Sequence, residues 1–110
     1  MANYHGSNEV ISELREDGIL ILTINRPEKR NALNGATSAK MEEILNLAEK
    51  DKAVRVIIVT GAGEKSFCAG EDLSELSSTG ECQTVTEHGF GGLTNRLSAK
   101  PIICAVNGTA

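Results

Sequence analysis

The chain has no tryptophan and only three aromatic residues, Tyr4, Phe67 and Phe90, among its 110 residues. A core of this size must therefore be aliphatic, drawn from Ile, Leu, Val and Ala. No apolar run approaches the roughly 20 residues needed to span a bilayer, so no membrane span is expected. A basic block is also missing. Eleven Lys and Arg stand against 15 Asp and Glu, for a net charge of −4, and the charges are scattered. That balance argues against nucleic acid as a partner. No C-x-x-C occurs. The cysteines are Cys68, Cys82 and Cys104, and only His5 and His88 accompany them, so no metal site is expected. An odd, dispersed cysteine set suits a reducing interior. The opening M-A-N-Y-H-G-S-N is polar and carries no arginine, so it reads as neither a signal peptide nor a mitochondrial presequence.

What is present is a regular succession of apolar runs. Residues 9 to 15 alternate loosely, as an exposed strand does, and Glu16-Asp17-Gly18 is a turn signal. Residues 19 to 24, I-L-I-L-T-I, form a continuous apolar run, which predicts a strand buried on both faces. The two make a hairpin. Pro27 ends the second strand, because it cannot donate to a ladder. Asn34 is placed to cap a helix in which Met41, Ile44, Leu45 and Ala48 share one face. Residues 54 to 59 and 102 to 106 read as further buried strands, Asp72 to Leu76 as a helical turn, and Ser77 to Glu81 as a polar loop. Phe90, Leu93 and Leu97 suggest a second helix, weakened by Gly89, Gly91 and Gly92 and ended at Lys100-Pro101. The order β-β-α-β-α-β points to parallel pairing in an α/β domain.

The stretch from Val56 to Leu73, V-I-I-V-T-G-A-G-E-K-S-F-C-A-G-E-D-L, is a strand, a glycine-rich loop and the start of a helix. Backbone N–H groups gathered there favour negative charge, whether bound or developing in a reaction. A nucleotide P-loop would need another glycine where Ile58 stands, and Glu64 separates Gly63 from Lys65. A dinucleotide fingerprint would need glycine where Ser66 stands. The Ala69-Gly70 pair suits a backbone donor for an oxyanion, and equally suits a tight turn that needs small residues. Arg26, Lys29 and Arg30 share one loop and could meet a phosphate-bearing ligand or simply face water. Cys68 has no histidine at a recognisable spacing, so it reads as a small core residue rather than a nucleophile.

Three segments taken together, I-N-R-P-E-K-R-N-A-L at 24–33, the stretch at 56–73, and K-P-I-I-C-A-V-N-G-T-A at 100–110, resemble the enoyl-CoA hydratase/isomerase (crotonase) family in order and spacing. The resemblance implies an α/β fold, the N-terminal, truncated portion of a crotonase-like ββα spiral. Residues 1–8 would be a flexible N-terminus and 9–110 an incomplete domain. It implies a protein that binds acyl-CoA or enoyl-CoA thioesters and stabilises their enolate, with the chemistry of a hydratase (lyase) or isomerase in fatty acid metabolism. The alternative is a non-catalytic acyl-CoA-binding or assembly module of the same fold. By position, Ala69 would offer its N–H to the thioester oxygen. Gly70, Glu71, Asp72 and Leu73 would form the adjoining wall. Ala32 and Leu33 would present backbone to pantetheine and adenine, and Lys29 and Arg30 would lie near the CoA phosphates. No cofactor is implied beyond the coenzyme A that the substrate carries, and no metal. The family assembles as homotrimers or hexamers, and a cytoplasmic, mitochondrial-matrix or peroxisomal-matrix location fits. The family's second oxyanion donor and its catalytic carboxylates match positions beyond Ala110, and Glu71 and Asp72 match none of them. Residues 1–110 alone are therefore expected to lack turnover, and to self-associate through sheet faces left uncovered.

Overall fold

The computed structural model describes residues 4–110. The strands and helices run β1 (Val10–Leu14), β2 (Ile19–Ile24), α1 (Gly35–Lys50), β3 (Val56–Gly61), α2 (Leu73–Thr79), β4 (Val85–Thr86), β5 (Gly89–Phe90) and β6 (Ile102–Ala105), with a single 3-10 turn at Pro27–Lys29. Four strands form one sheet in the order β1-β2-β3-β6. β1 and β2 are antiparallel, with Val10 opposite Ile24 and Leu14 opposite Leu20. Gly18 at φ +89° turns the hairpin, a conformation that costs an L residue with a side chain energy. β2–β3 and β3–β6 are parallel, so each needs a crossover. α1 supplies the first of them.

The predicted cap and helix face are both found. Asn34 accepts from Thr37 N–H at 2.9 Å, and the Thr37 hydroxyl accepts from Asn34 N–H at 2.8 Å, a reciprocal box that satisfies two of the helix's unpaired donors. Met41, Ile44, Leu45 and Ala48 pack against Leu20, Leu22, Ile24, Ile57 and Val59 to form the core. At the other end of α1, the Lys100 ammonium donates to the carbonyls of Ala48 and Asp51, where the helix leaves carbonyls unsatisfied. Of the segment expected to be a free N-terminus, residues 1–3 lie outside the described residues. Tyr4 donates its hydroxyl to Asp51 at 2.7 Å, and its carbonyl accepts from the Ser12 hydroxyl.

Three expectations are corrected. The continuous apolar runs do not make strands buried on both faces. β2 and β3 alternate, with every second residue fully buried and Ile19, Ile21, Val56 and Ile58 only half-buried. β6 is more open still, with Ile103 51% and the following Val106 55% exposed. It lies at the sheet edge, and among the described residues no element covers its outer side. The second helix does not form. Gly89, Gly91 and Gly92 sit at φ +89°, +62° and +70°, outside helical space, and Leu97 is fully exposed. A side chain on Gly92 would come within 2.9 Å of Glu42 Cα. Gly91 and Gly92 therefore let the backbone lie directly on α1, and the segment becomes the β4–β5 hairpin and a series of turns. Finally, most of the expected polar loop at 77–81 extends α2, which runs to Thr79 and ends on Gly80 in the left-handed region.

The β4–β5 segment is fastened to α1 by the Ser38 hydroxyl, which donates to the Thr84 carbonyl and accepts from Gly91 N–H, and by one carboxylate. Glu42 accepts from His88 N–H at 2.8 Å, from His88 Nδ1 at 2.6 Å and from Arg96 Nη2 at 2.7 Å. Burial opposes its charge, but the His88 and Thr86 hydrogen bonds outweigh it and hold its pKa down to about 2. A carboxylate whose folded pKa lies below its unfolded value adds stability that is complete above the unfolded pKa and fades as pH falls through the folded one. The contribution should thus be whole above about pH 4.5 and drain away towards pH 2. Glu42→Gln should cost about 1.5–3 kcal/mol at pH 7, the worth of hydrogen bonds to a charged group, and much less at pH 3. Urea titrations across that range read this, and equal losses at both pH values would refute the assignment.

Candidate active site

The site lies where β3 runs out. After Gly61 the chain folds back on itself so tightly that a Cβ there would stand 2.3 Å from the Phe67 carbonyl. Two asparagines hold this turn. Asn31, buried and in the left-handed region at φ 57°, donates from Nδ2 to the carbonyls of Ala62 (3.0 Å) and Ser66 (2.8 Å) and accepts from Arg26 N–H at 2.8 Å. Asparagine tolerates that backbone better than most residues. Asn107 accepts from Gly61 N–H at 3.1 Å and donates to the Gly63 carbonyl at 2.8 Å. A bridge between Ser66 and Thr109 adds a third tie. Loop 62–70 is thus clasped between the segment after β2 and the segment after β6.

From there the chain runs beside residues 30–33. Ala69 N–H donates to the Arg30 carbonyl at 3.1 Å. Leu33 N–H donates to the Gly70 carbonyl at 2.8 Å, and Asp72 N–H to the Leu33 carbonyl at 2.7 Å, which makes a parallel bridge between Leu33 and Glu71. Along an extended chain, successive backbone groups point to opposite sides. Since Gly70 C=O and Asp72 N–H face Leu33, Glu71 N–H faces away from it. Among the described residues it has no hydrogen-bond partner. Gly70, at φ +101°, has open space around it, with nothing within 4 Å of where a Cβ would stand. The Glu71 amide therefore borders an unfilled region.

This geometry corrects the expectation that Ala69 N–H is free to meet a ligand. Its N–H is spent on Arg30, and the amide left over is two residues on, at Glu71. The expectation that Ala32 and Leu33 offer their backbone to a ligand is corrected likewise. Both are buried. Ala32 N–H donates to the Lys29 carbonyl, its own carbonyl accepts from Arg26 Nη1, and both Leu33 groups are used in the bridge. Arg26 does not face a phosphate. It is 5% exposed and spans Glu9, Ala32 and Asp72. Lys29 and Arg30 are exposed, and Arg30 shares a cleft of about 300 Å³ with Pro27, Gly63, Lys65 and Ser66. Leu73, 73% exposed at the first turn of α2, also faces out.

The two carboxylates beside the free amide are both committed. Asp72 caps α2 by accepting from Ser74 N–H at 2.9 Å, and it accepts from Arg26 Nη2 at 2.9 Å. The Arg26 guanidinium holds its pKa below the usual carboxylate range. Glu71 accepts from the Cys82 thiol and, at 2.7 Å, from the Thr84 hydroxyl, which lower its pKa. Neither carboxyl is poised to carry a proton. Cys68 is half-buried against the core, and burial pushes its thiol pKa up, as a packing residue requires and a nucleophile does not. Behind Leu33 and Cys68 lies an apolar cavity of about 240 Å³ between Met41, Phe67, Phe90 and Leu93. The sequence reading missed Asn31, Thr84 and the Glu71 amide. The last depends on the bridge between Leu33 and Glu71, which no local sequence pattern signals.

Residues 14–110 match the profile of the enoyl-CoA hydratase/isomerase family. The mevalonyl-coenzyme A hydratase of Aspergillus fumigatus is 48% identical over 93 residues, which are 82% of this chain and 34% of that protein. The short-chain-enoyl-CoA hydratase of Clostridium acetobutylicum is 44% identical over 109 residues, 94% of this chain and 40% of that protein. The crystal structure of carnitinyl-CoA hydratase from Mycobacterium avium superposes with a TM-score of 0.82 at 42% identity, over 93% of this chain and 40% of that one. The chain thus spans well under half the length of the relatives it matches, and its sheet and crossover are those of the N-terminal part of the crotonase fold. No helix among the described residues is long and apolar enough to cross a membrane. On sequence and structure alike, the chain belongs to the enoyl-CoA hydratase/isomerase family.

Proposed function

We propose that this chain binds the acyl-CoA or enoyl-CoA thioester and donates one hydrogen bond, from Glu71 N–H, to the thioester oxygen as it gains enolate charge. The carrying observation is that amide, unpaired and turned towards open space while its neighbours on both sides are fixed by the Leu33 bridge. A donor held this way needs no reorganisation when charge develops. The cleft lined by Arg30, Glu64 and Lys65 keeps an excess of positive charge for the phosphate-bearing end of coenzyme A, and the apolar cavity behind Cys68 suits a hydrocarbon chain. Lys29 and Leu73, both exposed, and the partly exposed Gly70 are the further residues assigned to the ligand.

The proposal extends to a hydratase or isomerase reaction in fatty acid metabolism, whose second oxyanion donor and proton-carrying groups come from outside the described residues. It extends equally to a trimer or hexamer. Ile103 and Val106 are apolar surface that such an assembly, or more of the same domain, would cover. A second reading, a module that binds acyl-CoA without chemistry, is favoured by one observation. Glu71 and Asp72, the carboxylates nearest the amide, are both held as hydrogen-bond acceptors.

Calorimetric titration with crotonyl-CoA, free CoA, ATP and NAD tests the common part of both readings. Crotonyl-CoA and CoA should bind saturably, and ATP and NAD at least tenfold more weakly. Arg30→Glu should weaken CoA by about tenfold, roughly 1.4 kcal/mol. Equal affinity for ATP or NAD would instead favour a nucleotide-binding α/β domain.

A further inference from the structure

We propose that Arg26 is the positioning residue of this site, its guanidinium fork fixing the direction in which Glu71 N–H points. The inference rests on the reading of Glu71 as the thioester donor. The Arg26 side chain hydrogen-bonds to both segments of the Leu33–Glu71 bridge. Its Nη1 donates to the Ala32 carbonyl, one residue before Leu33, and its Nη2 donates to Asp72 Oδ2 at 2.9 Å, one residue after Glu71. The planar fork allows both at once, and it sets the spacing and relative tilt of the two segments. Its own backbone is fixed too, because Arg26 N–H donates to Asn31 Oδ1.

The surroundings match that task. Arg26 and Asp72 are 5% and 7% exposed, so water does not loosen the pair. The third contact, Nε to Glu9 Oε2 at 2.9 Å, reaches a side chain that is 41% exposed and belongs to neither segment of the bridge. Burial alone would lower the Arg26 pKa, but hydrogen bonds to Asp72 and Glu9 raise it, so the fork stays charged. A lysine at this position would keep the charge and lose the ability to hold Ala32 and Asp72 together. A turn of the peptide between Gly70 and Glu71 would then swing the unpaired amide away from its target, with Gly70 at φ +101° offering little resistance.

The test compares Arg26→Lys and Glu9→Gln with the unaltered chain. Two ligands are titrated: free CoA, and acetoacetyl-CoA, whose enolate absorbs in the near ultraviolet. Arg26→Lys should leave CoA affinity and binding stoichiometry within about twofold, and lower enolate affinity about tenfold, the worth of one misdirected charged hydrogen bond. Glu9→Gln should change neither. General damage to the fold would instead lower stoichiometry or both affinities together, and that result overturns the proposal. If the unaltered chain binds neither ligand, the functional reading fails. The positioning claim is then decided by through-hydrogen-bond NMR couplings from Leu33 N–H to Gly70 and from Asp72 N–H to Leu33. Their loss in Arg26→Lys, with the β2–β3 couplings kept, sustains it, and their persistence overturns it. Should Arg26→Lys not fold, Asp72→Asn, which keeps the side-chain shape and an acceptor for Ser74 N–H, carries the same comparisons.

Discussion

Exchanging the amide between Gly70 and Glu71 for an ester should lower affinity for the enolate of acetoacetyl-CoA by about 10- to 100-fold, since hydrogen bonds to charged groups are worth about 1.5–3 kcal/mol. The same exchange between Cys68 and Ala69 should leave that affinity unchanged and lower stability by about 1 kcal/mol, because it removes only the bond from Ala69 N–H to the Arg30 carbonyl. The pair of esters separates two donors that lie two residues apart. Cys68 makes the experiment practical, as it is a natural ligation point for joining a synthetic segment that carries either ester. The Gly70 ester also weakens the carbonyl that accepts from Leu33 N–H, and the shift in thermal midpoint reports that effect on its own. If the Ala69 ester lost enolate affinity and the Glu71 ester did not, the donor would be Ala69 after all.

Asn31→Ala should cost about 3–5 kcal/mol. Two carbonyls, of Ala62 and Ser66, would lose a donor, and Arg26 N–H would lose its acceptor, the Arg26 and Ser66 bonds in a buried setting and the Ala62 bond in a partly buried one. A buried polar group left unpaired costs about 1–3 kcal/mol, and an ordinary side chain at φ 57° adds about 1–2 kcal/mol. Against a total stability of about 5–15 kcal/mol for a domain of this kind, the chain should be marginal at 37 °C. Asn31→Gly removes the same bonds but tolerates the backbone, so the difference between the two variants isolates the conformational share. Urea unfolding at pH 7 measures both. A loss under about 1 kcal/mol for alanine would mean that water or a neighbour replaces the asparagine, contrary to this account.

What the sequence made legible follows from range. The hairpin, the Asn34 cap and the buried face of α1 are set by residues within a few positions of each other, and periodicity reads them correctly. The βαβ order is legible for the same reason. Gly89, Gly91 and Gly92 were weighed as a helix penalty, whereas their positive φ and the close approach of Gly91 and Gly92 to α1 are tertiary facts. Apolar runs at 19–24 and 102–106 look alike as strings, but β2 lies inside the sheet and β6 at its edge. The unpaired amide lies two residues from the one the family resemblance singled out, in the same turn. Which amide stays free depends on the Leu33–Glu71 bridge, and no local pattern specifies that bridge. Neither reading offered for Arg26, a phosphate contact or a solvated side chain, describes it, because its partner Asp72 is 46 positions away.

That separation has a consequence for how the molecule comes together. The ties that shape the site join Arg26 to Asp72, Gly61 to Asn107 and Ser66 to Thr109, each more than 40 positions apart. Loops of that length close late and slowly compared with a helix turn or a hairpin. The β1–β2 hairpin and α1 can therefore settle early, while loop 62–70 stays unclasped until Asn107 and Thr109 arrive behind β6. On the ribosome those two residues emerge well after the loop they hold. The free amide of Glu71 gains its fixed direction only in the closing stage of folding, so competence to bind is a late-acquired property rather than one inherited from the first structure to form.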